Sequence, residues 1–241
     1  MLIKRVNPLF LSNIKLFKYK QYLKFNTEAL GLISNLSNNL DFLLSYNNLP
    51  IDTTNKQGFP TRLRRYANFN VKINEKDYEI HYTGKSKFKQ DVPDTRRELR
   101  EFTLLEKKYI KNDFILNLIS KSVAMAIINS DIKINKLDIS LHQVRQICYP
   151  NVQSHNSPEG IHQDGVDFIV SALVMNRTNI EGGESILYDV YKNEIYRTTL
   201  YPGEGIFQED RKLWHFVTPI KSIDNCVGYR DILGIDISII S

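Results

Sequence analysis

The sequence predicts a mainly β protein of the α+β class, with a small antiparallel barrel or sandwich as its core and helices packed against it. Two observations predict this class. From residue 161 onward, short runs of β-forming residues alternate with glycine- and proline-containing turns, which is typical of small antiparallel β folds. Upstream, segments such as 112–129 place their apolar residues at helical spacing.

Residues 1–26 are predicted to form an amphipathic helix packed on the β core. They carry basic side chains, no acidic side chain, and apolar residues interspersed between them. A surface-binding or targeting role is the alternative for this segment. Asn26-Thr27-Glu28 predicts the start of a second helix, because the apolar residues after it keep helical spacing as far as Tyr46.

The middle of the chain is predicted to contain a loop, two strands and one long helix. Residues 47–60 hold two prolines and a glycine and predict the loop, while 62–71 and 78–82 predict strands. Residues 91–100 form a charged connector. The long helix is predicted over 112–129, with the asparagine at its first position as the N-cap.

The last third of the chain is predicted to be strands joined by tight turns. Residues 161–175 predict a strand, since they are mostly apolar and rich in β-formers from Val166 onward. In the final strand, which begins near Gly228, Arg230 and Asp236 share one face because side chains alternate along a strand. Between them come a Gly-Gly turn at 181–185, a strand at 186–188, a turn at 201–205, a strand at 206–208 and a strand at 214–220 that Pro219 stops.

Length and composition fit one domain over residues 1–241, with 1–135 as helical and strand elaboration and 136–241 as the β core. The hydrophobic content of 42% is ample for a core, and the net charge of +5 permits an acidic co-substrate without implying nucleic acid. Two cysteines give no disulfide framework, and no apolar run reaches the length of a membrane span. We therefore expect a cytoplasmic protein with no membrane or nucleic-acid partner.

Two histidines and one aspartate form the most informative motif of the chain. His162 and Asp164 are two residues apart, so on a strand both would point to the same face, and His215 follows Asp164 by 51 residues (215 − 164). This ligand set covers one face of a non-haem Fe(II) and leaves the other face open. Zinc is an alternative occupant, because it accepts the same ligands. Arg230 comes next and could bind a dicarboxylate through its fixed charge.

The segment from about Leu137 to Ile239 resembles the double-stranded β-helix core of the Fe(II)/2-oxoglutarate-dependent dioxygenases. The family pattern of HxD, Gly-Gly-Glu turn, proline–glycine turn, distal histidine and arginine reads here as His162/Asp164, Gly182-Gly183-Glu184, Pro202-Gly203-Glu204-Gly205, His215 and Arg230. Residues 158–168 resemble more specifically the bacterial group that hydroxylates free L-amino acids, typified by L-isoleucine 4-hydroxylase. So do 210–220, His142-Gln143-x-Arg145 and Arg62-x-Arg64-Arg65-Tyr66.

The resemblance implies a jelly-roll, cupin-like fold with buttressing N-terminal helices, and a site that uses Fe(II), 2-oxoglutarate and O2, with ascorbate as reductant. It makes Arg230 the anchor of the far carboxylate of 2-oxoglutarate. Many members place serine two residues after this arginine, whereas this chain has Ile232. Thr218 or a tyrosine is therefore expected to supply the hydroxyl. The intact Asp164 favours hydroxylation, because related halogenases lack this carboxylate.

Four further residues are candidates for contact with the amino acid substrate. Glu159 could pair with its ammonium group, with a purely structural loop role as the alternative. Asp167 could orient a metal-binding imidazole or cap the polar end of a strand. His142 and Arg145 lie on a strand that leads to the site. One of the arginines at 62, 64 and 65 could bind the carboxylate of the substrate. The alternative is that these arginines form a solvated face of a strand.

The sequence thus predicts an enzyme that hydroxylates the side chain of a free L-amino acid and converts 2-oxoglutarate to succinate and CO2. One alternative is the same chemistry on an amino acid held by a carrier protein or within a peptide. A second alternative is a catalytically silent cupin-like binding protein. A zinc hydrolase is less well supported, because Asp167 is the one general base near the metal ligands.

Overall fold

The computed structural model describes residues 2–6, 21–32, 39–52, 61–75, 77–90 and 99–240. Within these ranges the helical elements are a short helix, Leu40–Leu44, two single 3₁₀ turns, Ser45–Asn48 and Lys107–Tyr109, and a long helix, Asp113–Asn129. The strands are β1 Leu2–Val6, β2 Tyr22–Asn26, β3 Arg62–Ile73, β4 Tyr78–Tyr82, β5 Lys87–Phe88, β6 Arg100–Glu101, β7 Lys136–Cys148, β8 Phe168–Thr178, β9 Ile180–Gly182, β10 Glu184–Tyr188, β11 Glu194–Thr199, β12 Glu204–Glu209, β13 Trp214–Val217, β14 Ile220–Ser222 and β15 Gly228–Ile240.

Eight strands form one large antiparallel sheet in the order β1-β4-β3-β7-β15-β8-β12-β2. At its centre β7 and β15 pair along their whole length, from Gly228 opposite Cys148 to Ile240 opposite Lys136. Such long central strands are favoured here by the run of isoleucines that alternates with small and polar residues in β15. The alternation gives the sheet two distinct faces, both of which are buried over much of their area.

A small sheet, β11-β10-β13, and the strand pair β9–β14 cover one face of the large sheet. The two layers meet in a cluster of apolar side chains from both: Val144, Ala172, Val174, Leu187, Leu200, Ile206, Leu213 and Ile232. Two facing antiparallel sheets of this kind make a jelly roll. The predicted fold class, mainly β with a double-stranded β-helix core and packed helices, is confirmed.

The long helix covers the opposite face of the large sheet. It begins at the predicted N-cap, where the Asn112 side chain accepts a hydrogen bond from the Ile115 amide at 3.2 Å. Its apolar side chains join a core with the odd-numbered residues of β7 and β15, such as Leu141 and Ile235. The even-numbered residues of the same strands therefore face the interior of the jelly roll, where the predicted site residues lie.

The helix predicted over residues 1–26 is wrong where the structure describes the chain. Residues 2–6 and 22–26 are edge strands, β1 on β4 and β2 on β12. Phe25 is buried over Gly205, because a glycine at that position leaves room for its ring. In these edge strands the backbone N–H and C=O groups form hydrogen bonds with a neighbouring strand, whereas in a helix they would form them within the segment. Residues 7–20 lie outside the described residues.

The second predicted helix is shorter than expected. Asn26 accepts a hydrogen bond from the Glu28 amide at 2.8 Å and so closes a turn over 27–31, not a helix start. Helix is present from Leu40, and 33–38 lie outside the described residues. The strands predicted at 62–71 and 78–82 are confirmed. Most of the loop predicted at 47–60 and most of the connector predicted at 91–100 lie outside the described residues. No helix in the described ranges is long and apolar enough to cross a membrane.

Candidate metal centre

His162, Asp164 and His215 lie together at one end of the jelly roll. One potential ligand atom of each lies within 4.8 Å of the others. The Nε2 atom of His162 is 3.8 Å from Asp164 Oδ1, and the Nε2 atom of His215 is 3.5 Å from Asp164 Oδ2. Two imidazoles and one carboxylate, all within reach of one point, form a donor set that fits a divalent transition metal.

The two histidines are set side by side by the backbone. His162 and His215 form an antiparallel bridge, in which each amide donates to the carbonyl of the other at 3.0 and 2.9 Å. The predicted strand 161–175 is wrong in its first part, since regular strand begins at Phe168 and the chain before it turns. Strand alternation therefore does not bring His162 and Asp164 together, although both reach the same point.

Asp210 fixes the turn that carries Asp164. Its buried carboxylate accepts hydrogen bonds from the amides of Asp164, Gly165 and Val166 at 3.0, 2.7 and 3.2 Å. Burial and the neighbouring Asp164 carboxylate raise the pKa of Asp210 above its ordinary value. Sequence reasoning missed this residue, because its partners lie more than forty residues away and only its place in the Asp210-Arg211 motif marked it.

The second nitrogen of each imidazole has a neighbour that orients the ring. The Nδ1 atom of His162 lies 2.8 Å from the carbonyl oxygen of Gly160, which requires a proton on Nδ1 and leaves the Nε2 lone pair for a metal. The Nδ1 atom of His215 lies 3.4 Å from the Gln208 amide nitrogen and 3.8 Å from Asp210 Oδ1. Both rings therefore direct Nε2 toward Asp164.

The candidate metal ligand Asp164 has a partner that the sequence did not indicate. The Gln90 side-chain amide donates to Asp164 Oδ1 at 2.7 Å. The Gln90 carbonyl oxygen in turn accepts from the Arg100 guanidinium. This chain of contacts joins the metal centre to a group of side chains on β3, β6 and β7.

Arg230 lies on β15 with its side chain fully inside the jelly roll. Its exposure is 0%, and all three guanidinium nitrogens lack a hydrogen-bond partner among the described residues. Burial and the nearby Arg177 charge lower the pKa of Arg230 to about 9. A buried, unpaired cation is costly, so the position fits a residue whose counter-charge comes from a bound anion.

Thr218 lies at the corner between β13 and β14. Its hydroxyl oxygen accepts a hydrogen bond from the Glu184 amide at 2.9 Å, which leaves the hydroxyl proton available. Its predicted contact with the co-substrate stays a prediction. Beside this corner, a Cβ placed on Gly183 would lie 3.6 Å from Arg230 Cδ and 2.9 Å from Ile220 Cγ2, so a side chain at this position would crowd both residues.

Glu159 and Asp167 have different surroundings. A Glu159 carboxylate oxygen lies 3.2 Å from His162 Nε2, so this side chain borders the metal-binding atoms. Asp167 accepts from Arg211 Nε at 2.7 Å and from the Ile239 amide at 2.7 Å. These contacts fit the strand-capping role of Asp167. They also engage the carboxylate that a zinc hydrolase would need as its general base.

His142 and Arg145 lie on opposite faces of β7. His142 faces the interior, with its Nε2 atom 3.3 Å from Asp236 Oδ2. Burial and the charges of Arg64 and Arg100 lower the pKa of His142 well below its ordinary value. Three aromatic rings pack around its imidazole: Tyr66, Phe88 and Phe102.

Arg145 points to the helix-covered face, away from the metal ligands. It forms a two-point ion pair with Asp231 at 2.6 and 2.7 Å and donates to Asn47 at 2.8 Å. Its guanidinium also packs over the Tyr229 ring. Its predicted contact with substrate finds no support in this placement.

The arginines of β3 are not a solvated face. Arg62 and Arg64 turn inward and share the buried Asp52 carboxylate at 2.7 and 3.0 Å, with side-chain exposures of 14% and 12%. Arg65 points the other way and donates to the Leu104 carbonyl. The Arg64 guanidinium packs over Phe102, and Arg100 packs over Phe88 and Phe102. We call Arg64, Phe88, Arg100, Phe102 and His142 the arginine–aromatic cluster.

A jelly roll that carries two histidines and one carboxylate close together, with a buried arginine on the same interior face of the fold, is consistent with a mononuclear metal enzyme. The model of the 2OG-Fe dioxygenase family matches residues 44–236, which is more than half of the chain. The chain belongs to this family. It is an oxygenase, and membership implies Fe(II), 2-oxoglutarate and O2.

Several solved structures share the fold. IDO from Bacillus thuringiensis is 22% identical, with 95% of this chain and 94% of that chain covered and a TM-score of 0.77. A bsmA homologue from Methylobium petroleophilum is 20% identical, with 97% and 94% covered and a TM-score of 0.81. The Fe(II)/α-ketoglutarate-dependent dioxygenase TqaL is 15% identical, with 94% and 85% covered and a TM-score of 0.68. No curated protein matches the sequence.

Proposed function

We propose that this oxygenase hydroxylates the side chain of a free L-amino acid, with conversion of 2-oxoglutarate to succinate and CO2. The observation that carries the proposal is the arginine–aromatic cluster beside the metal centre. Two arginines and three rings lie at one end of the contact chain Arg100–Gln90–Asp164. Cations next to apolar walls suit a small molecule that has both a carboxylate and an apolar side chain.

His162, Asp164 and His215 would hold the iron, and Arg230 would pair with the distal carboxylate of 2-oxoglutarate. Thr218 is proposed as a hydroxyl partner of that carboxylate. With iron and co-substrate bound, the site supplies an oxidant strong enough to attack an unactivated C–H bond. The protein contributes positioning: the imidazoles keep Nε2 toward the metal, Asp210 holds the Asp164 turn, and the closed sheets exclude water. Ascorbate is proposed as the reductant that maintains Fe(II).

The amino acid substrate would lie between the metal centre and the arginine–aromatic cluster. Arg64 or Arg100 would take its carboxylate, and Glu159, at 3.2 Å from His162 Nε2, would take its ammonium group. Phe88 and Phe102 would contact the apolar side chain. This arrangement is supported by the resemblance of residues 158–168 to the free amino acid hydroxylases. A cytoplasmic location stays a prediction that the two free cysteines fit.

The test is a mass-spectrometric screen. Purified protein receives Fe(II), ascorbate, O2 and 2-oxoglutarate with each proteinogenic L-amino acid separately, and an Asp164→Ala variant serves as the control. We expect succinate together with a product one oxygen heavier for at least one amino acid. Succinate without an oxygenated amino acid would indicate that the substrate is a carrier-bound or peptidyl amino acid and not a free one. Iron binding without succinate under any condition would favour a silent binding protein.

A further inference from the structure

Arg177 lies next to Arg230 on the neighbouring strand. The two residues are directly opposite in the β8–β15 pairing, so their side chains share the interior face. Like charges at opposed positions of a sheet repel each other. A fold that keeps two arginines in this arrangement needs an anion between them or a carboxylate partner for each.

Neither arginine has a carboxylate partner in the part of the chain that the structure describes. Arg177 Nη2 donates to the Gly182 carbonyl at 2.8 Å, while its Nη1 atom is buried without a partner. None of the three guanidinium nitrogens of Arg230 has a hydrogen-bond partner among the described residues. The unpaired donors of both residues therefore belong to one buried region of positive charge.

Gly183 packs against both arginines, and its lack of a side chain leaves them the room that they occupy. A Cβ at this position would lie 3.2 Å from Arg177 Nη1 and 3.6 Å from Arg230 Cδ. A side chain at this position would therefore meet the unpaired nitrogen of one guanidinium and the stem of the other. Burial lowers the pKa of both guanidinium groups, that of the half-buried Arg177 and that of the fully buried Arg230, so an anion bound between them would favour the charged form of each.

We propose that Arg177 is a second cationic binding residue for the distal carboxylate of 2-oxoglutarate, in addition to the hydroxyl proposed for Thr218. The proposal rests on the proposed role of Arg230. Arg230 would bind the carboxylate through two of its nitrogens, and Arg177 Nη1 would bind from the opposite strand. Two cations on one carboxylate select a dicarboxylic 2-oxo acid over a monocarboxylic one.

The test measures binding and does not need turnover. Calorimetric titration of the Mn(II)-loaded protein without O2 gives dissociation constants for 2-oxoglutarate and for 2-oxobutyrate, which lacks the distal carboxylate. We expect Arg177→Met to weaken 2-oxoglutarate roughly ten- to a hundredfold, the range for a lost hydrogen bond between charged groups. The affinity for 2-oxobutyrate should stay unchanged. Arg177→Lys should fall between Arg177→Met and the natural protein.

Arg197→Met is the matched control, because it removes the same charge from an exposed arginine that pairs with Glu184 and Glu194. It should leave both dissociation constants unchanged. An equal loss of affinity for both 2-oxo acids in Arg177→Met would show that Arg177 only supports the Gly182 turn, and would overturn the proposal.

Arg230→Met separates this proposal from the proposed function. If Arg230→Met no longer binds 2-oxoglutarate but Arg177→Met binds it normally, the proposed role of Arg177 is wrong and the proposed function is unaffected. If neither variant changes 2-oxoglutarate binding, the co-substrate site itself is misplaced. If Arg177→Met fails to fold, the ratio of the dissociation constants of Arg177→Lys for 2-oxoglutarate and 2-oxobutyrate answers the same question.

Discussion

At the scale of single residues, the geometry of the candidate metal centre depends on side chains outside the set of three candidate ligands. Asp210 is the main example, since one buried carboxylate fixes three successive amides around Asp164. The ligand types themselves were predictable, because few residues can bind Fe(II) and their spacing is restricted. Asp210, Gln90 and Arg177 were not, because their roles depend on contacts across strands that no local pattern encodes.

We predict that Asp210→Asn weakens metal binding by roughly ten- to a hundredfold, as is typical when a group that orients metal ligands is changed. The amide cannot accept from all three backbone donors as the carboxylate does, so the Asp164 turn loosens. Titration of the protein with Mn(II) measures the change. Asp189→Asn is the control: Asp189 also accepts from backbone amides, those of Tyr191 and Asn193, but in an exposed turn. Equal affinity in both variants would contradict the role of Asp210.

Arg145 gives a second prediction at this scale. Arg145→Met should destabilise the fold by about 3–5 kcal/mol, because it leaves the buried Asp231 carboxylate without its cation. It should leave the KM for the amino acid unchanged, since the guanidinium lies on the face of β7 opposite to His142 and contacts Asn47. Chemical denaturation and steady-state kinetics measure the two effects. A large rise in KM at unchanged stability would restore the substrate role that the sequence suggested.

At the scale of elements, the sequence was a good guide to the central strands and a poor guide to the edges. The strands predicted at 62–71 and 78–82 and the long helix are confirmed. The sequence could predict them because their apolar residues repeat at the spacing of a strand or of a helix. The helix predicted over the first 26 residues is wrong because β2 docks through a few apolar side chains, Phe25 over Gly205 among them, and its backbone partner β12 lies far along the chain. The strand predicted from 161 failed because a carboxylate, Asp210, holds its first residues in a turn.

The contact between β2 and β12 allows a test at this scale. In Gly205→Ala the new Cβ would lie 2.5 Å from the Phe25 ring and 3.0 Å from the Ala172 carbonyl oxygen. Overpacking of this kind should lower the free energy of unfolding by about 1–3 kcal/mol. Gly234→Ala is the matched control, because its Cβ would have no neighbour closer than 3.8 Å. Similar stabilities for the two variants would contradict the docking of β2 on β12.

At the scale of the whole molecule, the described residues separate buried positive charge from buried negative charge. Arg230 and Arg177 have no carboxylate partner among the described residues, and Arg62 and Arg64 share one aspartate. Asp210 and Asp164 form the opposite case near the metal centre, where two carboxylates lie close together. The fold therefore holds an anion-attracting region and a cation-attracting region side by side, as a site for a metal and an acidic co-substrate requires.

This separation of charge predicts how ligands change the stability of the molecule. Mn(II) and 2-oxoglutarate should each raise the Tm when added alone, because each neutralises one of the two regions, and together they should raise it further. A ligand at a hundred times its Kd adds about 2.7 kcal/mol, which corresponds to roughly 5–10 °C for a chain of this size. Differential scanning calorimetry in the absence of O2 measures the shifts, with EDTA to reverse the metal contribution. Arg230→Met should keep the Mn(II) shift and lose that of 2-oxoglutarate. A variant that kept both shifts would mean that the buried cations are balanced within the fold and that the co-substrate binds elsewhere.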